Sequence, residues 1–161
     1  MAAGATYEPI ATTTLGSNQS SVTFSTISGS YTDLVLIFNG TITTSAASWG
    51  LQFNSDTASN YSNTALYGDG SSAASNRATS ATSTISSFSG TDNSTNIVQI
   101  MNYSNSTTYK TALSRNNGGG FVSARVALWR STAAITSITA VTSSNQFATG
   151  STFTLYGIAS A

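Results

Sequence analysis

Glu8, Asp33, Asp56, Asp69 and Asp92 are the only carboxylates in the chain, and Lys110, Arg77, Arg115, Arg125 and Arg130 its only side-chain cations. Two carboxylates flanking one bond at a set separation could hydrolyse a glycoside. Asp56, Asp69 and Asp92 all fall in or near turns that a sandwich could gather. Their spacing follows no catalytic pattern, however, and Asp favours turns because its side chain caps its own backbone, so solvated turn residues are the expectation. Serine is abundant, but histidine is absent, which removes the usual activating base. A Ser-Lys pair would have to use Lys110, which lies in the alternating stretch Tyr109-Lys110-Thr111 and is expected on a wet strand face. Arg125 and Arg130 are expected to face solvent or a neighbouring subunit. Gly118-Gly119-Gly120 is followed by no Gly-Lys-Ser/Thr and no helix, so it reads as a hairpin turn and not a phosphate loop. Asp69-Gly70 and Asp92-Asn93 supply too few oxygens for a calcium cage, and without cysteine there is no thiolate site. No catalytic, cofactor-binding or metal-binding residue is therefore assigned, no cofactor is expected, and the chain is not expected to be an enzyme.

Aromatic side chains offer a different chemistry, stacking against sugar rings. Trp49, Phe53, Tyr61 and Tyr67 could form such a platform, with Tyr61 and Tyr67 the candidates for glycan contact from loops. Phe24, Phe38, Trp129, Phe153 and Tyr156 stand at positions suited to a core, and burial is the commoner fate of aromatics.

The elements that must carry these residues are strands. Large side chains alternate with small or polar ones in Val22-Thr23-Phe24, Trp49-Gly50-Leu51-Gln52-Phe53 and Val122-Ser123-Ala124-Arg125-Val126-Ala127-Leu128, the period of a strand with one wet face. Leu34 to Phe38 is continuously apolar and of strand length, as for a central strand covered on both faces. Further strands are expected near Tyr7–Thr14, Asn96–Tyr103, Tyr109–Arg115, Ile135–Thr142 and Thr152–Ile158. Turn residues separate them at Ser28-Gly29-Ser30, Asn39-Gly40 and Thr149-Gly150-Ser151. The fold class is all-β: an antiparallel, jelly-roll-like sandwich of about nine strands, with no amphipathic helix. The stretch from Gly68 to Asp92 has only Ile85 and Phe88 as sizeable apolar anchors and reads as a long loop or irregular edge strand. Residues 1–10 read as an extended N-terminal arm ahead of one sandwich domain over 11–161, although the alternation running on into Thr12 and Thr14 also suits a first strand of the domain's own sheet.

Charged residues are only 6% of the chain and sum to zero net charge, against about a quarter in ordinary domains. Neutralising a phosphate backbone needs clustered Lys and Arg, so nucleic acid is not an expected partner. No apolar run approaches the ~20 residues that span a bilayer, so no membrane is expected. Met1 to Ala5 lacks the features of a secretory signal, which places synthesis in a cytoplasm. Weak surface charge leaves little like-charge repulsion between copies, as suits a component of an assembly.

Tyr7-Glu8-Pro9-Ile10-Ala11, Tyr31-Thr32-Asp33-Leu34-Val35-Leu36, Met101 to Thr111, Leu128 to Ile138 and Gly150 to Ile158 resemble segments of small virion proteins of tailed bacteriophages, including cyanophages, over nearly the whole chain. The resemblance implies a β-sandwich virion component, foremost a capsid cement (decoration) protein. Such a protein would be made in the host cytoplasm and sit as a homotrimer on the capsid outer surface, bound to the major capsid protein. Its near competitor is a tail-fibre or tail-tip module that recognises host surface glycans. Under the first expectation the segment Tyr7, Glu8, Pro9 and Ile10 is the candidate capsid or subunit contact.

Overall fold

The computed structural model describes residues 6–44, 47–84, 87–118, 120–143 and 145–159, with the backbone alone for 87–89. Met1 to Ala5, Ile85 and Gly119 lie outside the described residues, as does the side chain of Phe88. Twelve strands form among the described residues: β1 (Tyr7–Thr14), β2 (Ser21–Phe24), β3 (Asp33–Gly40), β4 (Ala47–Phe53), β5 (Tyr61–Gly68), β6 (Ala73–Ala81), β7 (Ser87–Ser89), β8 (Ser94–Met101), β9 (Lys110–Gly118), β10 (Phe121–Trp129), β11 (Ile138–Thr142) and β12 (Thr152–Ile158). All pairings are antiparallel. One sheet has eight strands in the order β1-β12-β3-β8-β9-β10-β5-β6, and the other has four in the order β2-β11-β4-β7. The expected all-β sandwich is present. It is lopsided, eight strands against four, where a jelly roll distributes eight strands over two sheets.

The core forms where inward residues of the two sheets meet. Leu34, Leu36 and Phe38 of β3, Val98 and Ile100 of β8, and Phe153 and Leu155 of β12 pack with Val22, Phe24, Trp49, Leu51, Phe53, Ile138 and Ala140 of the small sheet. Phe38 lies at the centre of an aromatic cluster, its ring centroid 4.7 Å from Phe153, 5.3 Å from Trp49 and 5.5 Å from Phe147. Trp49, Phe53 and Trp129, all buried, thus belong to the interior. β3 has the central place its apolar run demands, with Val35 buried on the face away from the small sheet as well.

The stretch Gly68 to Asp92, expected as a long loop or an irregular edge strand, takes the second form: it contains β6 and β7, each the outermost strand of its sheet. From β6 the chain passes to the small sheet, where Thr84 and then β7 run alongside β4 at its edge. Thr84 donates its backbone N–H to Leu51 O (2.9 Å) and accepts Leu51 N–H on Oγ1 (2.8 Å). A Cβ added to Gly50 would lie 1.5 Å from Thr84 O. Only glycine admits that approach, so Gly50→Ala must push Thr84 off both bonds and is expected to cost about 2 kcal/mol. The denaturation midpoint should fall accordingly, while Gly16→Ala, with nothing within 4 Å of the new methyl, should leave it unchanged. A Gly50→Ala midpoint equal to that of the parent protein would show that the contact is loose.

The arm expected over residues 1–10 is, from Tyr7 onward, the outermost strand of the large sheet. Tyr7 pairs with Ile158, Glu8 with Gly157 and Pro9 with Tyr156. The register then shifts between Pro9 and Ala11, so Ile10 is the extra residue of a bulge and packs partly buried against the core. A proline and a bulge are two devices that keep an edge strand from pairing further. Removing Met1 to Ile10 would therefore delete half of β1 and not merely a tether.

Candidate docking face and loop-end cleft

Strands β9, β10 and β5 are neighbours in the large sheet, and all three turn large aliphatic side chains outward while polar ones point in. On β10, Arg125, Ala127 and Trp129 are buried, while Val122 (63% exposed), Ala124 and Val126 (49%) face outward. On β9, Lys110, Ala112, Ser114 and Asn116 point in and Leu113 points out; on β5, Asn63 and Ala65 point in and Leu66 (64% exposed) points out. The cross-strand register sets these outward residues side by side. Leu113, Val126 and Thr64 are one row, and Arg115, Ala124 and Leu66 the next.

The inward polar groups are accommodated individually. Lys110, 1% exposed, donates from Nζ to Thr108 O (2.7 Å) and Thr132 O (3.1 Å), and burial holds its amine below the ordinary lysine range. The wet-face placement expected for it is thus wrong: its ammonium ties two loops together from inside. Arg125 is also buried, contrary to the expectation that it faces solvent or a neighbouring subunit, and desolvation depresses its guanidinium while the nearby Tyr67 acts in the other direction. Arg130 donates to Ser59 O (2.8 Å).

The outward face continues across the sheet. Val35 opposes Gln99 and Tyr156, and Ile37 opposes Ile97 and Thr154. Tyr7 of β1, 56% exposed, stands edge-on to Tyr156 with centroids 6.3 Å apart. It borders the same small pocket as Leu113 and Arg115 of β9, although three strands lie between them. The sheet therefore curls toward this side. Of the four expected contact residues, Tyr7 lies on this face, exposed Pro9 stands in the row of Tyr156, exposed Glu8 is on the same edge strand, and Ile10 turns inward at the bulge.

At one end of the sandwich, the β5–β6 turn, the β9–β10 turn and Asp92 enclose an open pocket of about 470 Å³, bordered by Asp69, Asp92, Asn117 and Phe121. Asp69 Oδ1 accepts from the N–H groups of Ser71 (2.9 Å) and Ser72 (2.7 Å) and from both their hydroxyls, which holds the exposed carboxyl far below the usual range. Tyr67 packs edge-on against Phe121, centroids 6.3 Å apart. Asp69 and Asp92 are thus brought together, and Asp56 is not. It sits at the other end of β5, about 25 Å away by the rise of an eight-residue strand. There Asp56 accepts from Trp129 Nε1 (2.7 Å), Asn60 Nδ2 (2.9 Å) and Ala58 N–H (2.9 Å).

Tyr61 cannot meet a glycan, contrary to expectation. It is 0% exposed, accepts Phe53 N–H on its hydroxyl (2.9 Å), donates to Asp56 O (3.1 Å), and is pushed up to about 12 chiefly by burial. Tyr67, partly exposed beside the cleft, remains placed for such a contact. The outward face itself was missed in the sequence, where Val122, Ala124 and Val126 read as the dry side of their strand. The parity of Trp129, which matches Arg125 and not Val126, was the available signal. No protein-family model matches the chain, and comparison with curated proteins finds no significantly similar sequence.

Proposed function

We propose that the protein is a non-enzymatic structural component of a bacteriophage virion, a head cement protein that binds the major capsid protein on the capsid outer surface. The single observation that carries this reading is the inside-out half of the large sheet. Isolated soluble domains rarely expose contiguous apolar areas above a few hundred Å². Strands about 4.8 Å apart and eight residues long give the three with outward apolar side chains an area on the order of 400 Å² and the whole eight-stranded face on the order of 1,000 Å², an apolar centre with a polar surround on the scale of a standard interface of roughly 800 Å² per partner. Binding an assembled lattice but not its free subunits would stabilise the shell by mass action, which requires contact area and no reactive group. Assembly as a homotrimer belongs to the same proposal.

The test is location and copy number in purified particles, by cryo-electron microscopy and quantitative gel analysis. Hundreds of copies on the head support the reading, and a few copies at the tail tip overturn it. The loop-end cleft favours a second reading, a tail-fibre or tail-tip module recognising host glycans. Phe121, with Tyr67 packed edge-on against it, offers aromatic surface there, and Asp69, Asp92 and Asn117 offer polar groups for hydroxyls. Selective binding on a glycan array that disappears in Tyr67→Ala is the outcome that would favour it.

A further inference from the structure

The outward face of β9, β10, β5 and β6 carries charge of one sign only. Its outward positions include Arg115 and Arg77 and no Asp or Glu. Both arginines are exposed, and among the described residues neither makes an ion pair or side-chain hydrogen bond. The carboxylates nearest these strands lie off the face, in the turns at its end: Asp69, whose Oδ1 is already engaged by the N–H and hydroxyl groups of Ser71 and Ser72, and Asp92 beside it. Asp33 on β3 is engaged by Asn102 N–H (2.8 Å) and Gln99 Nε2 (3.0 Å). Arg77 pairs with Thr64 in the row of Val126 and Leu113, while Arg115 stands in the row of Ala124 and Leu66. Three strand spacings and two residues separate the two arginines, on the order of 16 Å. Leu66 and Val126 lie between them.

Resting on the docking reading above, we infer that this face receives a different protein and not a second copy of this chain. The partner surface is apolar at its centre and bears two carboxylates on the order of 16 Å apart. Laid against itself, the face would bring guanidinium groups to a surface that has no acid to receive them, and burying an unpaired cation is costly. Laid against an apolar surface flanked by carboxylates, Leu66 and Val126 lose water while Arg77 and Arg115 form planar bidentate pairs at the rim. Such pairs also speed encounter and make it salt-dependent.

The experiment adds purified full-length protein to purified heads lacking it, and separately to purified tails, and measures bound copies against ionic strength. Arg77→Glu/Arg115→Glu is expected to weaken binding on the order of 100-fold, and Leu66→Asp/Val126→Asp to abolish it. Arg77→Lys/Arg115→Lys should retain most of it. All these side chains are exposed, so thermal melting of each variant should match the parent and report intact folding. Parent protein that binds neither heads nor tails overturns the functional reading and this inference together. Parent binding to heads or tails that both charge reversal and the Asp pair leave unchanged overturns the inference alone. Sedimentation showing a self-association that Leu66→Asp/Val126→Asp dissolves would also overturn it, since the face would then be taken by a second copy.

Discussion

Phe38→Ala is expected to lower the unfolding free energy by about 4 kcal/mol, the usual cost of emptying a buried phenylalanine site. Phe38 is completely buried, and its ring meets three others: Trp49 from the small sheet, and Phe147 and Phe153, both distant in sequence. The rings that surround the vacancy are pinned by their own contacts, Trp49 to Phe153 and Phe147 to Phe153 among them, so the site has little room to collapse. Urea denaturation followed by tryptophan fluorescence should show a large fall in midpoint with an unchanged slope. A loss below about 1 kcal/mol would mean that the two sheets are not joined through this cluster.

Asp56→Asn should cost about 2–3 kcal/mol, because it confronts buried donors with a donor. In the parent, Asp56 Oδ2 accepts from both Asn60 and the buried Trp129 indole, and Oδ1 accepts Ala58 N–H. An amide supplies one acceptor atom in place of two, whichever way it is turned. The pH dependence follows from the same contacts. Burial by itself would raise the carboxyl, but the bonds from Asn60, Trp129 and Ala58 outweigh it and hold Asp56 below its ordinary value. A carboxyl depressed in the folded state contributes stability that is fully present above its unfolded pKa, near 4, and is lost as pH falls through the folded value. Stability of the parent should therefore decline below about pH 4. The Asp56→Asn variant should start lower at neutral pH and decline less steeply, the remaining slope including Asp69. Parallel pH profiles for the two proteins would remove Asp56 from this role.

Nine strands were legible because two-residue alternation or a continuous apolar run marks a strand however the chain is connected. β5, β6 and β7 were not. β6 is Ala-Ala-Ser-Asn-Arg-Ala-Thr-Ser-Ala, an edge strand wet on nearly all sides, so it has no dry face to write into the sequence. β5 turns Asn63 inward and Leu66 outward, which cancels the contrast that alternation depends on. The same inversion hid the docking face: the period of Val122 to Leu128 locates a strand, yet period alone cannot say which parity is interior. The alternation of their strands puts Lys110 on a wet face and Arg125 at solvent or a neighbouring subunit, and the structure buries both. The loop-end cleft was half visible. Tyr67, Asp69 and Asp92 were singled out for their chemistry, but only the folded sheet shows that Asp69 and Asp92 share a pocket while Asp56 and Tyr61 belong to a structural joint at the opposite end.

The pairing of β1 with β12 has a consequence for how the molecule is made. Tyr7–Thr14 must find Thr152–Ile158 across all the intervening strands, so closing that edge carries the entropy cost of a very long loop. A ribosome releasing the chain leaves β3 without its β12 neighbour until Thr152–Ile158 has emerged. Refolding should accordingly be slow, in the millisecond to second range of sheet-dominated domains, and nascent chains truncated before Thr152 should be captured by chaperones.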